Sequence, residues 1–397
     1  MAQTLSARKT GLTRIIGHVK GQESGPVLIF FGGIHGNEPS GVQALEHVFK
    51  ELNRKPIPLK GNVYGIAGNI PAILENKRFL HKDLNRIWLK EEIEGMEQGT
   101  IKDTTSEDLQ LLEILRVLRD LLSVHQAPFY FIDFHTTSSK TLPFITINDA
   151  MINRKFARQF PVPIILGIEE YLVGPVLNYI NEFGYVSLGF ESGQHATEEA
   201  RTNSIAFFWL SLVYSGAVKA DSIEGFKYFG EELRQSAARN RNFYEITERY
   251  AIEDQDSYKM KPGFQSFERI DKGVLLAEHN GKQVVTSRKG ILFMPLYQNQ
   301  GAEGFFMIRK IPKWILGLSA ILRKVKADHI LVKLPGISWK DKSKSQLIVD
   351  LRVARFYSKA FFHLFGYRSR TIDREHLLIK NREKVAKNDL YKDCPWY

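Results

Sequence analysis

The sequence predicts an α/β protein: a mixed, mainly parallel sheet flanked by helices, joined to a smaller all-β domain and a basic C-terminal extension. Three observations predict it. Apolar runs at 27–31 (VLIFF), 129–134 (FYFIDF) and 183–193 (FGYVSLGFESG) alternate with helical patterns at 40–52, 105–125 and 197–218, and strands alternating with helices argue for a parallel sheet. From about residue 243 the pattern changes to short strands separated by glycine-containing turns, as in a small sandwich or barrel. Residues 313–397 hold 19 Lys/Arg against 8 Asp/Glu and so carry the whole net charge of +11. The expected divisions are 1–242, the α/β domain; 243–312, the small β domain; and 313–397, a mixed-helical basic extension.

The elements follow in order. Residues 27–31 read as a short buried strand. In 40–52, Val42, Leu45, Val48, Phe49 and Leu52 share one helical face. A second strand is expected in 61–70. The helix from Thr105 has Thr105 or Ser106 as its cap, acids in its first turn and leucines every three to four residues. The strand 129–134 is apolar except for Asp133, and the strand 183–193 is followed by the helix of 197–218.

Composition narrows the class. With 43% hydrophobic and 25% charged residues the chain is globular rather than disordered. The single cysteine, Cys394, excludes an intrachain disulfide and any Cys-based metal site. The N-terminal stretch MAQTLSARKTGLTRIIGHVKGQ lacks the apolar core of a secretory signal, and no apolar run approaches the ~18 residues of a membrane span. The expected location is the cytoplasm.

The chemistry lies at strand ends, where open α/β sheets bind ligands. The run LIFFGGIHGNEPSG places His35 and Glu38 on a turn beyond the first strand, with glycines at 32, 33 and 36 free to bend sharply. DFHTTSS places His135 at the end of 129–134. Two imidazoles and a carboxylate with an open position form the ligand set of a catalytic Zn²⁺. Glu191, in LGFESGQH, ends the next strand; a carboxylate there suits a general base for a hydrolytic water. Asp133 shares a strand face with His135 and reads equally as an orienting partner or as a buried, hydrogen-bonded acid. In NKRFLHKDLNRIW, Arg78, Asn85 and Arg86 stand among apolar residues, and arginine suits carboxylates or a developing oxyanion. Of the remaining histidines, His195 is the one considered for the pocket.

The ordered motifs GGIHGNE, KDLNR, DFHTT and FESGQ resemble the succinylglutamate desuccinylase/aspartoacylase family, a branch of the zinc-carboxypeptidase-like hydrolases, over roughly residues 25–310. The resemblance implies one Zn²⁺ per chain on His35, Glu38 and His135, with Glu191 as general base. It further implies Arg78 at the scissile carbonyl, and Asn85 and Arg86 on a substrate carboxylate. Aspartoacylase-like members carry another substrate-binding arginine about ten residues before the catalytic glutamate. Residues 172–190 contain no Arg or Lys, which points away from N-acetylaspartate and from any dicarboxylate held by two cationic clamps.

The expected function is zinc-dependent hydrolysis of the amide bond of a small N-acyl amino acid. The alternatives are a metallocarboxypeptidase acting on short, cell-wall-type peptides and a non-catalytic binding protein using the basic tail. The segment WILGLSAILRKVK (314–326) reads as a packing helix in preference to a membrane-interface one. RVARFYSKAFFHLFGYRSR reads as a solvated basic face in preference to a nucleic-acid or lipid contact.

Overall fold

The computed structural model describes residues 11–397 except 102, 127, 341, 343, 355–358 and 372–374. The N-terminal residues 1–10 and four residues of the RVARFYSKAFFHLFGYRSR stretch therefore lie outside the described residues. Strands β1 (Ile15–Lys20), β2 (Glu23–Gly32), β3 (Lys60–Ala67), β4 (Phe129–Thr137), β5 (Phe144–Ile147), β6 (Ile164–Leu166) and β7 (Val186–Gln194) begin one large sheet. β8 (Phe243–Ala251), β10 (Arg269–Ile270), β13 (Gly290–Phe293) and β14 (Glu303–Lys310) complete it. The strand order is β1-β3-β2-β4-β7-β5-β6-β8-β14-β13-β10. The block β3-β2-β4-β7 is parallel, whereas β5 runs antiparallel to β7.

Alternation along β2 explains why both faces of this block are covered. Leu28 and Phe30 join one apolar layer, built with helix α1 (Pro39–Arg54) and helix α3 (Glu198–Tyr214). Val27, Ile29 and Phe31 join the opposite layer, built with helix α2 (Ser106–Val124). α1 buries Val42, Leu45, Val48, Phe49 and Leu52, the face its spacing predicts. α2 begins with a capping box in which Thr105 and Asp108 satisfy each other's backbone N–H groups. The segment 61–70, expected as a strand ending in a turn, is strand as far as Ala67, after which Asn69 caps a short helix by accepting from the Ala72 N–H.

The region after residue 243 is not a separate layer. β8 pairs in parallel with β6 and antiparallel with β14, so the large sheet continues into it. A second sheet, β12 (Lys282–Val285), β11 (Leu275–His279) and β9 (Tyr258–Met260), completes the small all-β part.

The extension differs from the mixed-helical reading. Beside helix α4 (Lys313–Lys324) it holds an antiparallel sheet of β15 (Ile337–Trp339), β16 (Gln346–Asp350), β18 (His376–Asn381) and β17 (Tyr367–Thr371). Its strands are short, and β18 pairs with partners both about 30 residues earlier and about 10 residues earlier, a pairing that local periodicity does not register.

The extension is built into the body. Asp149, fully buried, receives Arg154 at 2.8 Å, Arg323 at 2.8 Å and Arg368 at 2.7 Å, the last two from the extension. Burial works to raise the Asp149 pKa, but the three guanidiniums outweigh it and hold the carboxyl well below its usual range. Near the chain end, the Tyr391 hydroxyl donates to the Phe129 carbonyl of β4 and accepts from the Val186 N–H of β7. Trp396 Nε1–H donates to the Tyr130 hydroxyl at 3.2 Å.

Candidate active site

The site gathers at the carboxyl ends of β2, β4 and β7. After β2 the chain turns at Gly33, whose φ of +74° suits glycine, and Gly36 packs so closely that a Cβ there would lie 2.1 Å from the Ala72 backbone. This close approach lets one turn deliver both His35 and Glu38. In the parallel pairing of β4 with β7, His135 stands opposite Glu191, and Gly189 stands opposite Asp133. Neighbouring residues in register share a face, so Glu191 is set beside His135 by the sheet itself.

His35, Glu38 and His135 are buried, and one ligand atom from each lies within 4.8 Å of the others. The imidazoles are oriented alike. His35 Nδ1 is 2.7 Å from Glu38 Oε1, and His135 Nδ1 is 3.1 Å from Glu38 Oε2. Each Nε2 faces a second carboxylate, Asp83 at 3.0 Å for His35 and Asp133 at 2.7 Å for His135. The Thr136 N–H donates to Glu38 at 2.8 Å. Two Nδ1 atoms and a carboxylate converging at one point, with both Nε2 atoms anchored by acids, is a donor set suited to Zn²⁺. Burial works to raise the Glu38 pKa, yet the two imidazoles hold it well below the usual range.

Glu191 lies in a different environment. Its Oε2 is buried with no hydrogen-bond partner among the described residues. Burial, only partly offset by His135, pushes its pKa up to about 8. Glu191 lines a cavity of about 110 Å³ together with His35, Glu38, Arg78 and His135. Arg78, partly buried at the wall, donates to Asp83 at 3.1 Å and approaches Glu38 at 3.5 Å. The Asn85 side chain accepts from the Val176 N–H at 3.0 Å, and its residue also lines the cavity. Arg86 is held by Glu303 at 3.2 Å and by the carbonyl of Asn85 at 2.9 Å. His195 bonds to Thr136 at 2.7 Å and to Gln298 at 3.1 Å, in an adjoining cavity that Arg78 and Arg86 also line.

Sequence reasoning missed three residues here. Asp83 sits inside KDLNR, where its neighbours drew the attention. Glu303 and Gln298 come from the β region more than 200 residues later, and Gln298 also accepts from Asn37, on the turn between His35 and Glu38, at 2.9 Å. No local pattern marks either one.

A scan against known families agrees with this geometry. Residues 24–208 match the succinylglutamate desuccinylase/aspartoacylase catalytic domain. The succinylglutamate desuccinylase of Photorhabdus laumondii is 40% identical over 78 residues, 20% of this chain and 23% of that protein. That of Pseudomonas fluorescens is 25% identical over 115 residues, 29% of this chain and 32% of that protein. The matches thus span a third or less of these relatives' lengths. Among solved structures, a succinylglutamate desuccinylase/aspartoacylase from Rhodobacter sphaeroides has the same fold, with a TM-score of 0.54 at 18% identity, covering 74% of this chain and 88% of that one. The product-bound ectoine utilization protein EutE (DoeB) from Ruegeria pomeroyi gives a TM-score of 0.52 at 17% identity, covering 74% and 87%. The matched segment has the α/β fold seen in these structures. The chain is similar to the succinylglutamate desuccinylase/aspartoacylase family over residues 24–208, a little under half of its length.

Proposed function

We propose that this protein is a zinc-dependent deacylase that hydrolyses the amide bond of a small N-acyl amino acid. The observation that carries the reading is the convergence of both Nδ1 atoms on Glu38, with Glu191 beside them in register. His35, Glu38 and His135 would hold the ion, which supplies Lewis acidity at the scissile carbonyl and the attacking water.

In this reading Glu191 takes a proton from the attacking water as the new carbon–oxygen bond forms. It returns that proton to the amide nitrogen as the carbon–nitrogen bond breaks. A carboxyl in a water-poor wall retains that proton readily, which suits the second half of the cycle. The Arg78 guanidinium, kept in place by Asp83, stabilises charge on the carbonyl oxygen. Asn85 and Arg86 hold the substrate carboxylate. A cavity of about 110 Å³ favours a small molecule over a folded or long peptide partner.

The test is to measure bound zinc and then screen N-acetyl, N-succinyl and N-formyl amino acids beside short peptides. Release of the free amino acid, lost in Glu191→Ala, is the expected result. C-terminal trimming of peptides would move the assignment to a carboxypeptidase. Protein without bound zinc, or Glu191→Ala at full rate, would end the proposal.

A further inference from the structure

Helix α4 is locked by one face and bare on the other. Leu316, Ser319 and Arg323 are buried. Ser319 donates to the Leu364 carbonyl at 2.9 Å, and Arg323 is committed to Asp149, Glu383 and the His363 carbonyl. The orientation of the helix is therefore fixed by directed bonds. Opposite this face, at positions i, i+4, i+7 and i+11, stand Trp314 (69% exposed), Leu318 (38%), Ile321 (61%) and Val325 (62%). The packing-helix expectation accounts for the first face only.

The charge around the stripe has one sign. Between Glu303 and Asp328 the chain has six cations and no acid. Lys310, Lys313, Lys324 and Lys326 are exposed and form no ion pair among the described residues. Lys324 and Lys326 also line a cavity of about 940 Å³ with Lys155, Lys384 and Lys387. Its three acids are engaged elsewhere: Asp328 by Tyr367, Glu383 by Arg323 and Asp389 by Lys392.

We infer that this face of α4 docks in the plane of an anionic phospholipid bilayer, the Trp314–Leu318–Ile321–Val325 stripe entering the acyl boundary and the surrounding lysines meeting head-group phosphates. Twelve residues are too few to span a membrane, and no helix among the described residues is long and apolar enough to do so. An amphipathic helix with cations beside an apolar face lies in the interface instead. A second copy of the chain suits this face less well. Pairing two α4 helices would bring Lys313 against Lys324 in one direction, or like against like in the other, with no acid to separate them.

The experiment is co-sedimentation of the full chain with vesicles of phosphatidylcholine alone and with roughly a third phosphatidylglycerol, at low and at physiological salt. Binding to the anionic vesicles, weakened by salt, is expected, together with a blue shift in emission absent from Trp314→Phe. The variant Trp314→Ser/Ile321→Ser and the variant Lys313→Glu/Lys324→Glu/Lys326→Glu should each bind at least about tenfold more weakly. All replaced side chains are exposed, so an unchanged melting temperature is the check on folding. Three results would overturn the inference. One is no binding to anionic vesicles at low salt. Another is equal binding by the stripe variant, with no shift from Trp314, which would leave only diffuse electrostatics. The third is a dimer that Trp314→Ser/Ile321→Ser converts to monomer.

Discussion

Asp133 Oδ2 accepts from His135 Nε2 at 2.7 Å, two residues away on the same face of β4. The contact turns Nδ1 of that ring toward Glu38. A ligand whose second nitrogen is anchored by a carboxylate keeps its tautomer and its direction, and loss of such a partner typically costs 10–100-fold in metal affinity. Asp133→Asn should therefore weaken zinc binding by about 10–100-fold, read by competition with a chelating dye. Asp83→Asn should act in the same direction through His35. If neither variant shifts the zinc affinity, the two acids are only buried hydrogen-bonded groups.

Glu191 offers a cleaner separation of binding from chemistry. It is not among the three converging ligand groups. Glu191→Gln should keep its zinc and lower kcat by at least ~10², the low end for a lost general base. KM should stay close to the wild-type value. Single-turnover kinetics with elemental analysis on the same sample make the comparison. A variant that loses its metal would show instead that Glu191 supports the ligand set.

Arg86 is bonded to Glu303, and in the proposed reading it also holds a substrate carboxylate. A hydrogen bond to a charged group is worth roughly 1.5–3 kcal/mol, so Arg86→Met should raise KM about ten- to a hundredfold with little change in kcat. Glu303→Gln should lower KM a few-fold, because the guanidinium is no longer shared. Opposite signs in the two variants support a substrate role. Unchanged KM in both would reduce Arg86 to a tether between the catalytic turn and β14.

The Asp149 cluster should dominate acid stability. A carboxyl held below its usual range contributes its full stability above the unfolded-state pKa of about 3.9, and loses it as the pH falls through the folded value. Glu170, beside Arg368 and His363, is lowered to about 2 despite its burial. Asp149→Asn leaves three buried guanidiniums without their shared anion and should cost about 3–5 kcal/mol in urea unfolding at pH 7. The gap between variant and wild type should hold down to about pH 4 and close below it. A constant gap down to pH 2 would assign the cost to packing rather than charge.

His35, Glu38, His135 and Glu191 were legible because each ends an apolar run, and β-strand geometry brings the ends of adjacent parallel strands together. Asp83 was not, since a single acid between Lys82 and Leu84 has no periodicity to mark it. α1 and α2 were legible from their apolar spacing and, for α2, its cap. The joining of β8 to β6 was not, because an alternating strand announces its own conformation but not its partner. The antiparallel sheet of the extension was missed for the same reason. The exposed stripe on α4 carries the same residue types as a buried one, and only the direction in which Ser319 and Arg323 are tied distinguishes the two.

Tyr391 bonds to β4 and β7 at once, bridging the Phe129 carbonyl and the Val186 N–H, both more than 200 residues back along the chain. Ribosomes build proteins from the amino end, so the strands bearing His135 and Glu191 emerge long before the hydroxyl that stitches them. Nascent protein thus lacks this bridge between β4 and β7 until residue 391 is made. Premature termination in the extension would then be felt at the far end of the large sheet's central strands rather than only at the point of truncation.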